Sequence, residues 1–524
     1  MKKTTAFAIL FIQIFLNACN TDISDISTEI EKASFIIYTF DEFGTPSGSG
    51  SGFFINENGT AITNYHVLDG SVKAIIVTND STKYVIENVL GSSEKLDLIR
   101  FKVKNPDNKL FSVVNLQDRL PKKGEKVYCL SNPLGYENSM SEGIISAIRT
   151  DKSHEKVIQF SAAISPGSSG GTIFGQNGKV FAVATFMNKG GQSLNFGIPI
   201  SKEIIDRFTK EDDFKKNNPK FFKSERFIVL NRRSDKDPNA ILNAIEFGDN
   251  ITTVYLTYTN LHISEGKYGI WLELNKNQQG AFIRNIEDKS EIYITSSTIG
   301  SSRELMTLIP IGTSLKYKMF FTKVNDPWKH FELFQCGDSR CNKWTDIKTG
   351  SFTNLENFDL ENFRNIFAIS SLKEGNFQEA QSLFLEIIKF DPENVQAYNA
   401  LGVISYISDN NNDALKYFTK AIEVNPTFDQ SFINRYYVYL TQRKYSEALK
   451  DITEAINLNP DQPDFYSTRE KVYLLLGDKE NAKHDYFIAR EIYLNDYQLG
   501  KEVFSDQQKD KLYDDILQKR AKRK

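Results

Sequence analysis

The sequence predicts a multidomain chain: an all-β barrel or sandwich first, a β-sandwich-like block after it, and an α-helical array at the C-terminal end. Three observations carry this. Over residues 33–200 short apolar runs alternate with Gly, Asn, Asp and Pro turns, as in Ser34–Thr39, Gly52–Ile55, Ala74–Thr78, Leu98–Val103, Lys126–Leu130 and Val180–Thr185. Over 223–350 the runs Thr252–Tyr258 and Ser314–Phe321 alternate apolar and polar residues with a period of two, and Pro310-Ile311-Gly312 forms a turn into the second. From about 358 onward Pro392, Pro426 and Pro460 recur 34 residues apart.

The bulk numbers agree. A length of 524 residues exceeds what one core accommodates and suggests about three domains. With 64 Lys+Arg against 67 Asp+Glu and a net charge of −3, the chain lacks the basic footprint of a nucleic-acid binder. Its three Trp, Trp271, Trp328 and Trp344, all fall in the second β block, which marks it as a separate domain. They are expected in its core, with a recognition surface as the alternative. The charged, Asn- and Lys-rich stretch 206–222 reads as a helix end running into a linker.

The first residues form a targeting segment. Lys2 and Lys3 precede an apolar run, Ala6 to Leu16, that is too short to span a bilayer. Residues 1–18 therefore read as a signal peptide. Of the four Cys, Cys129 lies in an apolar run and reads as a small buried hydrophobe. Cys336 and Cys341 flank a short turn, where a disulfide could staple a hairpin in an exported protein. Two Cys without further ligands cannot complete a tetrahedral metal shell, so no metal or other cofactor is expected.

Nucleophilic acyl transfer by serine requires a base beside the hydroxyl, an acid to fix the base's tautomer, and amide donors for the oxyanion. The Gly-rich loop Ser165-Pro166-Gly167-Ser168-Ser169-Gly170-Gly171 offers the hydroxyl. Among five His, His66 follows an apolar strand and an Asn58-Gly59 turn, whereas His154 lies in a charged loop. Asp97 heads the strand-like run Leu98–Val103. Asp69 stands too near His66 in sequence, and Asp80 lies in an ordinary Asn-Asp-Ser turn. Each segment alone is weak evidence.

Together they resemble the trypsin-like serine proteases of the HtrA/Deg type. Seven segments run in that family's order: Ser49–Ile55 (SGSGFFI), Thr63–Val67 (TNYHV), Asp97–Val103 (DLIRFKV), Asn132–Gly135 (NPLG), Glu142–Ser146 (EGIIS), Ala162–Gly171 (AAISPGSSGG) and Leu194–Pro199 (LNFGIP). The resemblance implies a double β-barrel over 33–205 with the site in the cleft between barrels. It implies Ser169 as nucleophile, His66 as general base and Asp97 as its orienting acid. The amides of Gly167 and Ser169 would form the oxyanion hole, with Ser168 shaping the loop between them. Ala163 would lie at the base of the specificity pocket, which favours small or medium apolar side chains over Lys or Arg. Two residues depart from the pattern: Ser168 stands for the usual Asn and Thr172 for the usual Pro. The PDZ domains common in that family are not evident, so neither their gating nor a trimeric assembly carries over.

Two further resemblances complete the reading. Leu16-Asn17-Ala18-Cys19 resembles the bacterial lipobox, in which the Cys is acylated and becomes the first mature residue. That implies a lipid anchor to a bacterial membrane, facing periplasm or cell exterior. An ordinary signal peptide with a chance Cys is the alternative. The 34-residue period extends to Ala380, Ala414, Ala448 and Ala482 and to Phe384, Phe418, Ile452 and Tyr486. This resembles tetratricopeptide (TPR) repeats, four units within 358–494, followed by a capping helix and basic tail over 495–524. Tyr436 and Glu470 stand where Gly or Ala is usual, so looser packing is expected there.

The combined expectation is a trypsin-like double β-barrel, a β-sandwich-like domain and an α-helical TPR solenoid. It acts as an endopeptidase on polypeptide substrate, and the repeats recruit a protein partner. Two alternatives stay open: a non-catalytic binding lipoprotein on a protease-like scaffold, and another acyl transferase or esterase on the same barrel.

Overall fold

The computed structural model describes residues 22–105, 107–132, 139–150, 156–164, 167–187, 194–208, 213–221, 227–234, 239–261, 269–270, 281–299, 307–323, 330–336, 341–348, 365–369, 371–372, 377–496 and 505–523. Residues 1–18, read from the sequence as a signal peptide, Cys19, His154, Trp271, Trp328, the Pro133-Leu134-Gly135 part of one segment and Ser165-Pro166 lie outside these residues. The chain divides into two compact units, Met1–Glu225 and Arg226–Lys524.

The first unit contains two closed six-stranded barrels. Helix α1 (Ile23–Ala33) leads into β1 (Ser34–Phe40), β2 (Pro46–Asn56) and β3 (Thr60–Thr63). The short helix α2 (Tyr65–Leu68) follows, then β4 (Lys73–Thr78), β5 (Lys83–Ser93) and β6 (Leu98–Val103). These strands close in the order β1-β2-β3-β6-β5-β4. The second barrel uses β7 (Lys126–Ser131), β8 (Ser139–Arg149), β9 (Val157–Phe160), β10 (Thr172–Gly175), β11 (Val180–Met187) and β12 (Leu194–Pro199), in the order β10-β11-β12-β9-β8-β7. Closure leaves no free edge. One apolar cluster joins the barrels: Phe53, Ile62 and Leu98 from the first pack with Leu130, Phe174 and Val183 from the second. Cys129 is buried in the second barrel, and burial pushes its thiol up to about 12, as its reading as a core hydrophobe implies.

One helix lies outside what the sequence led one to expect, and one segment differs from its expectation. Helix α1, capped by the Asp22 side chain accepting from the Ser24 amide, buries Ile30 and Ala33 in the interbarrel cluster. The stretch 206–222 is not a linker where it is described. After α3 (Lys202–Phe208), helix α4 (Asp213–Asn217) buries Phe214 and the following turn buries Phe221, both in the core of the first barrel. The Phe214 amide donates to Ser92 Oγ at 3.0 Å, and Asn218 donates to Asp69 Oδ1 at 3.0 Å. Two aromatic side chains outweigh the charged residues around them, because only one face of so short a segment needs to be apolar.

In the second unit eight antiparallel strands form a single sheet, β13-β14-β15-β20-β18-β17-β21-β22. They are β13 (Phe227–Arg233), β14 (Ala240–Phe247), β15 (Ile251–Thr259), β17 (Phe282–Asn285), β18 (Glu291–Ser297), β20 (Ser314–Thr322), β21 (His330–Cys336) and β22 (Cys341–Lys348). The two-residue strands β16 (Gly269–Ile270) and β19 (Thr307–Leu308) pair separately. The sandwich-like block is thus one sheet curled around one core, and its first and last strands meet. Trp344 Nε1 donates to the Arg232 carbonyl at 3.0 Å, and Ser234 Oγ to Asn342 Oδ1 at 3.1 Å. Trp344 is a core residue at 0 % exposure. The β21–β22 register pairs Cys336 directly with Cys341.

The helices follow as α5 (Phe377–Phe390), α6 (Val395–Ile407), α7 (Asn411–Val424), α8 (Asp429–Thr441), α9 (Tyr445–Leu458), α10 (Pro463–Leu475), α11 (Lys479–Asp496) and α12 (Asp506–Arg523). The periodic Ala414, Ala448 and Ala482 are fully buried at the pair interfaces. A second period was not evident in the sequence. Arg435 on α8 forks onto Asp451 of α9 through two bonds of 2.8 and 2.7 Å and donates to Thr419 of α7 at 3.0 Å. One repeat later Arg469 binds Asp485 at 2.7 and 2.8 Å and Thr453 at 3.4 Å. Each Arg ties three helices. Arg435→Ala would strand a buried Asp451, so the repeats are expected to lose about 3–5 kcal/mol, read from their thermal unfolding midpoint.

Looser packing at Tyr436 and Glu470 is not what the structure shows: each is 1 % exposed. Tyr436 fills an apolar cluster with Ile452 and Val472. The Glu470 carboxylate accepts from Tyr513 at 2.7 Å and Arg520 at 2.8 Å, both on α12. Among the described residues no helix is long and apolar enough to cross a membrane.

Candidate active site

The site is assembled from loops at the junction of the two barrels. His66 lies on α2, directly after β3, and Asp97 immediately precedes β6, which pairs with β3. That pairing brings them together. His66 Nδ1 lies 2.9 Å from both Asp97 carboxylate oxygens, and the His66 amide donates to Asp97 Oδ1 at 3.0 Å. Asp97 adopts a positive φ of 53°, a conformation Asp tolerates better than most residues. The Asn64 side chain holds it there by donating to its carbonyl at 2.9 Å. The His66 side chain is 48 % exposed and that of Asp97 only 13 %, so the imidazole stays accessible while its partner is shielded.

The nucleophile loop precedes β10 in the second barrel and is clamped by β2 of the first. Ser51 does most of this. Its amide donates to the Ser169 carbonyl at 2.7 Å, and its hydroxyl donates to the Gly167 carbonyl at 3.0 Å while accepting from the Asn132 amide at 2.9 Å. Gly170 sits at φ 88°, and a methyl there would overlap the Ser51 carbonyl oxygen. Ser131 Oγ donates to Ser168 Oγ at 3.0 Å, and the Gly171 amide closes a turn onto the Ser168 carbonyl at 3.0 Å. Among the described residues, neither the Gly167 nor the Ser169 amide has an acceptor.

Gly50 lies where the two halves meet. A methyl on it would be 2.7 Å from Val67 Cγ1, beside His66, and 3.2 Å from the Ser169 carbonyl oxygen. No hydrogen bond of 3.5 Å or less joins Ser169 Oγ to His66 among the described contacts. Such bonds commonly tighten only around substrate. Ser169 itself is 7 % exposed.

Strand β11 links both halves. The Gly170 amide donates to the Ala184 carbonyl at 2.9 Å, and Thr185 Oγ1, the next residue, donates to Asp97 Oδ2 at 3.1 Å. Thr185 and Ser51 were not singled out by the sequence reading. The SGSGF segment contained Ser51, but nothing local marks Thr185. Removing its hydroxyl takes one donor from a shielded carboxylate. Thr185→Val is expected to lower kcat roughly ten- to a hundredfold with little change in KM, measured by steady-state peptide hydrolysis.

Ala163 follows β9 and is exposed, with its carbonyl accepting from Ser141 Oγ at 2.7 Å. The neighbouring Ala162 is buried, and Asn195 Nδ2 donates to its carbonyl at 2.6 Å.

Known proteins resemble this part of the chain. Residues 50–183 match the trypsin-like peptidase domain family. The chain carries a trypsin-like peptidase domain. The chain is 32 % identical over 186 residues to the chloroplastic Protease Do-like 1 of Arabidopsis thaliana, covering 33 % of this chain and 42 % of that protein. It is 35 % identical over 161 residues to the putative serine protease HhoB of Synechocystis, covering 29 % and 38 % respectively. A probable periplasmic serine endoprotease, DegP-like, from Brucella suis is 32 % identical over 174 residues, covering 32 % and 34 %. The chain thus spans less than half the length of these relatives. Residues 395–428, the pair α6 and α7, match the tetratricopeptide repeat.

Proposed function

We propose that the chain is an exported serine endopeptidase in which Ser169 attacks the scissile carbonyl. His66 takes the Ser169 proton and returns it to the leaving amine. Asp97 holds the imidazole and stabilises its cationic form. The amides of Gly167 and Ser169 receive the oxyanion, each donor contributing about 2.7–4 kcal/mol to the transition state. The observation that carries this reading is the two-oxygen seat of His66 Nδ1 on Asp97, which leaves Nε2 as the nitrogen for the serine proton. Ala163 would border the pocket for the residue before the cut, favouring small or medium apolar side chains.

The envelope is the expected location, in keeping with the name of the Brucella relative. Acylation of Cys19 would anchor the protein to a bacterial membrane, and Cys19→Ser is expected to release it from the detergent phase. The paired positions of Cys336 and Cys341 suit a cross-strand disulfide. The repeats serve protein interaction.

Labelling the mature protein with a fluorophosphonate tests the chemistry, with Ser169→Ala as control. Labelling of wild type alone, with cleavage of an unfolded protein, is the expected result. An unlabelled wild type would reduce the domain to a binding scaffold, and labelling without cleavage would point to another acyl transfer.

A further inference from the structure

A TPR array left open on its inner side exposes part of the first helix of every pair. Here α6 is buried on all sides over nine consecutive residues, Ala397 to Ser405. On α8, seven residues between Gln430 and Val438 are buried, including Gln430, Ser431 and Asn434, whereas on α10 only Tyr466, Glu470 and Val472 are.

Part of the covering surface belongs to the middle domain of the same chain. Asn434 Nδ2 on α8 donates to the main-chain carbonyl of Leu261 at 3.1 Å, and to Asn399 Oδ1 on α6 at 3.0 Å. Ser431 Oγ reaches the same Asn399 oxygen at 3.3 Å. Leu261 follows β15, and its neighbour Asn260 organises the turn before β20. The Asn260 amide donates to the Thr313 carbonyl at 2.9 Å, its carbonyl accepts from the Gly312 amide at 2.7 Å, and its side chain donates to the Ile309 carbonyl at 2.9 Å. That turn touches the helices. Gly312 has φ 72°, and a methyl on it would overlap Ile407 at the end of α6 and lie 3.1 Å from Phe377 at the start of α5.

We infer that the face formed by α6 and α8 is a docking bed for the middle β domain of the same chain, so that the two fold and unfold as one body. Three observations bear on this. The amides on the bed are buried and hydrogen-bonded, so undocking would break the bond from Asn434 to the Leu261 carbonyl and expose apolar helix surface together. The contact at Asn434 is a side-chain amide holding a backbone carbonyl, the interaction by which such a face would hold an extended peptide. And the turn approaches the helices so closely that a methyl on Gly312 would overlap the Ile407 side chain. A peptide therefore cannot lie along α6 and α8 while the middle domain is docked. External partners must use other surfaces of the repeats.

The full chain has a built-in pair of probes. All three Trp fall in the middle domain, so intrinsic Trp fluorescence reports that domain alone, while far-ultraviolet circular dichroism is dominated by the helices. In wild type the Trp transition and the main helical transition are expected to coincide on thermal or urea unfolding. The variant Ile407→Arg with Asn434→Leu alters only the repeats, yet it is expected to separate the Trp transition from the helical one. Two separate transitions in wild type, or coincident transitions that persist in the variant, would overturn the inference. If the double variant loses its helices outright, retention of a cooperative Trp transition with a shifted midpoint still supports docking, and an unmoved midpoint refutes it. Asn434→Leu alone supplies the milder case, with a smaller shift of the Trp midpoint expected.

Discussion

Ser169→Ala is expected to lower kcat by roughly 10⁴- to 10⁶-fold without unfolding the protein. The separation of effects follows from how the residue is held. Its main-chain carbonyl, not its hydroxyl, accepts from the Ser51 amide, so the loop keeps its anchor when the side chain is shortened. His66→Ala is expected to cost a similar factor. The double variant should be hardly worse than either single one, because base and nucleophile act as a unit. Single-turnover hydrolysis of a peptide ester and a calorimetric scan provide the two readouts. Additive losses, or a Ser169→Ala enzyme that still turns over near the wild-type rate, would break the triad assignment.

The largest structural effect is expected from Gly170→Ala. A left-handed backbone costs a non-Gly residue roughly 1–2 kcal/mol. The added methyl also overlaps the Ser51 carbonyl oxygen, which cannot retreat because Thr63 Oγ1 donates to it at 2.7 Å and β2 is paired on both sides. Overpacking against fixed backbone adds about 1–3 kcal/mol. The first unit should melt at a clearly lower temperature and lose fluorophosphonate labelling, because the Ser169 loop must move off Ser51. Full labelling at an unchanged midpoint would show that the loop tolerates a conformation unlike the one described.

The strands of both barrels were legible in the sequence because alternation and turn residues are local signals, and Leu98–Val103 falls where the pattern put it. His66, Asp97 and Ser169 could be found only as a set, through the order of seven segments, and the β3–β6 pairing then joins the first two. Features built by tertiary contact stayed hidden. Thr185 is an ordinary strand residue until its hydroxyl meets Asp97. The segment 206–222 is charged by composition, and its two Phe matter only because a barrel offers them a core. Glu470 read as a packing defect, since its partners lie more than 40 residues further along, on α12. The three-helix Arg forks have the repeat's own period, but a polar residue in a helix carries no local sign that it faces inward. The middle block's alternation told of strands and not of how many sheets they make, because that depends on whether the end strands meet.

Adjacent residues of β11 hold the acid by a side chain and the nucleophile loop by a carbonyl. The His66–Asp97 contact and the Ser51 clamp belong to the first barrel, but until β11 is in register both of these further attachments are missing. The complete constellation would then be present only once β11 has paired, and a molecule stalled before that point would lack both supports at once.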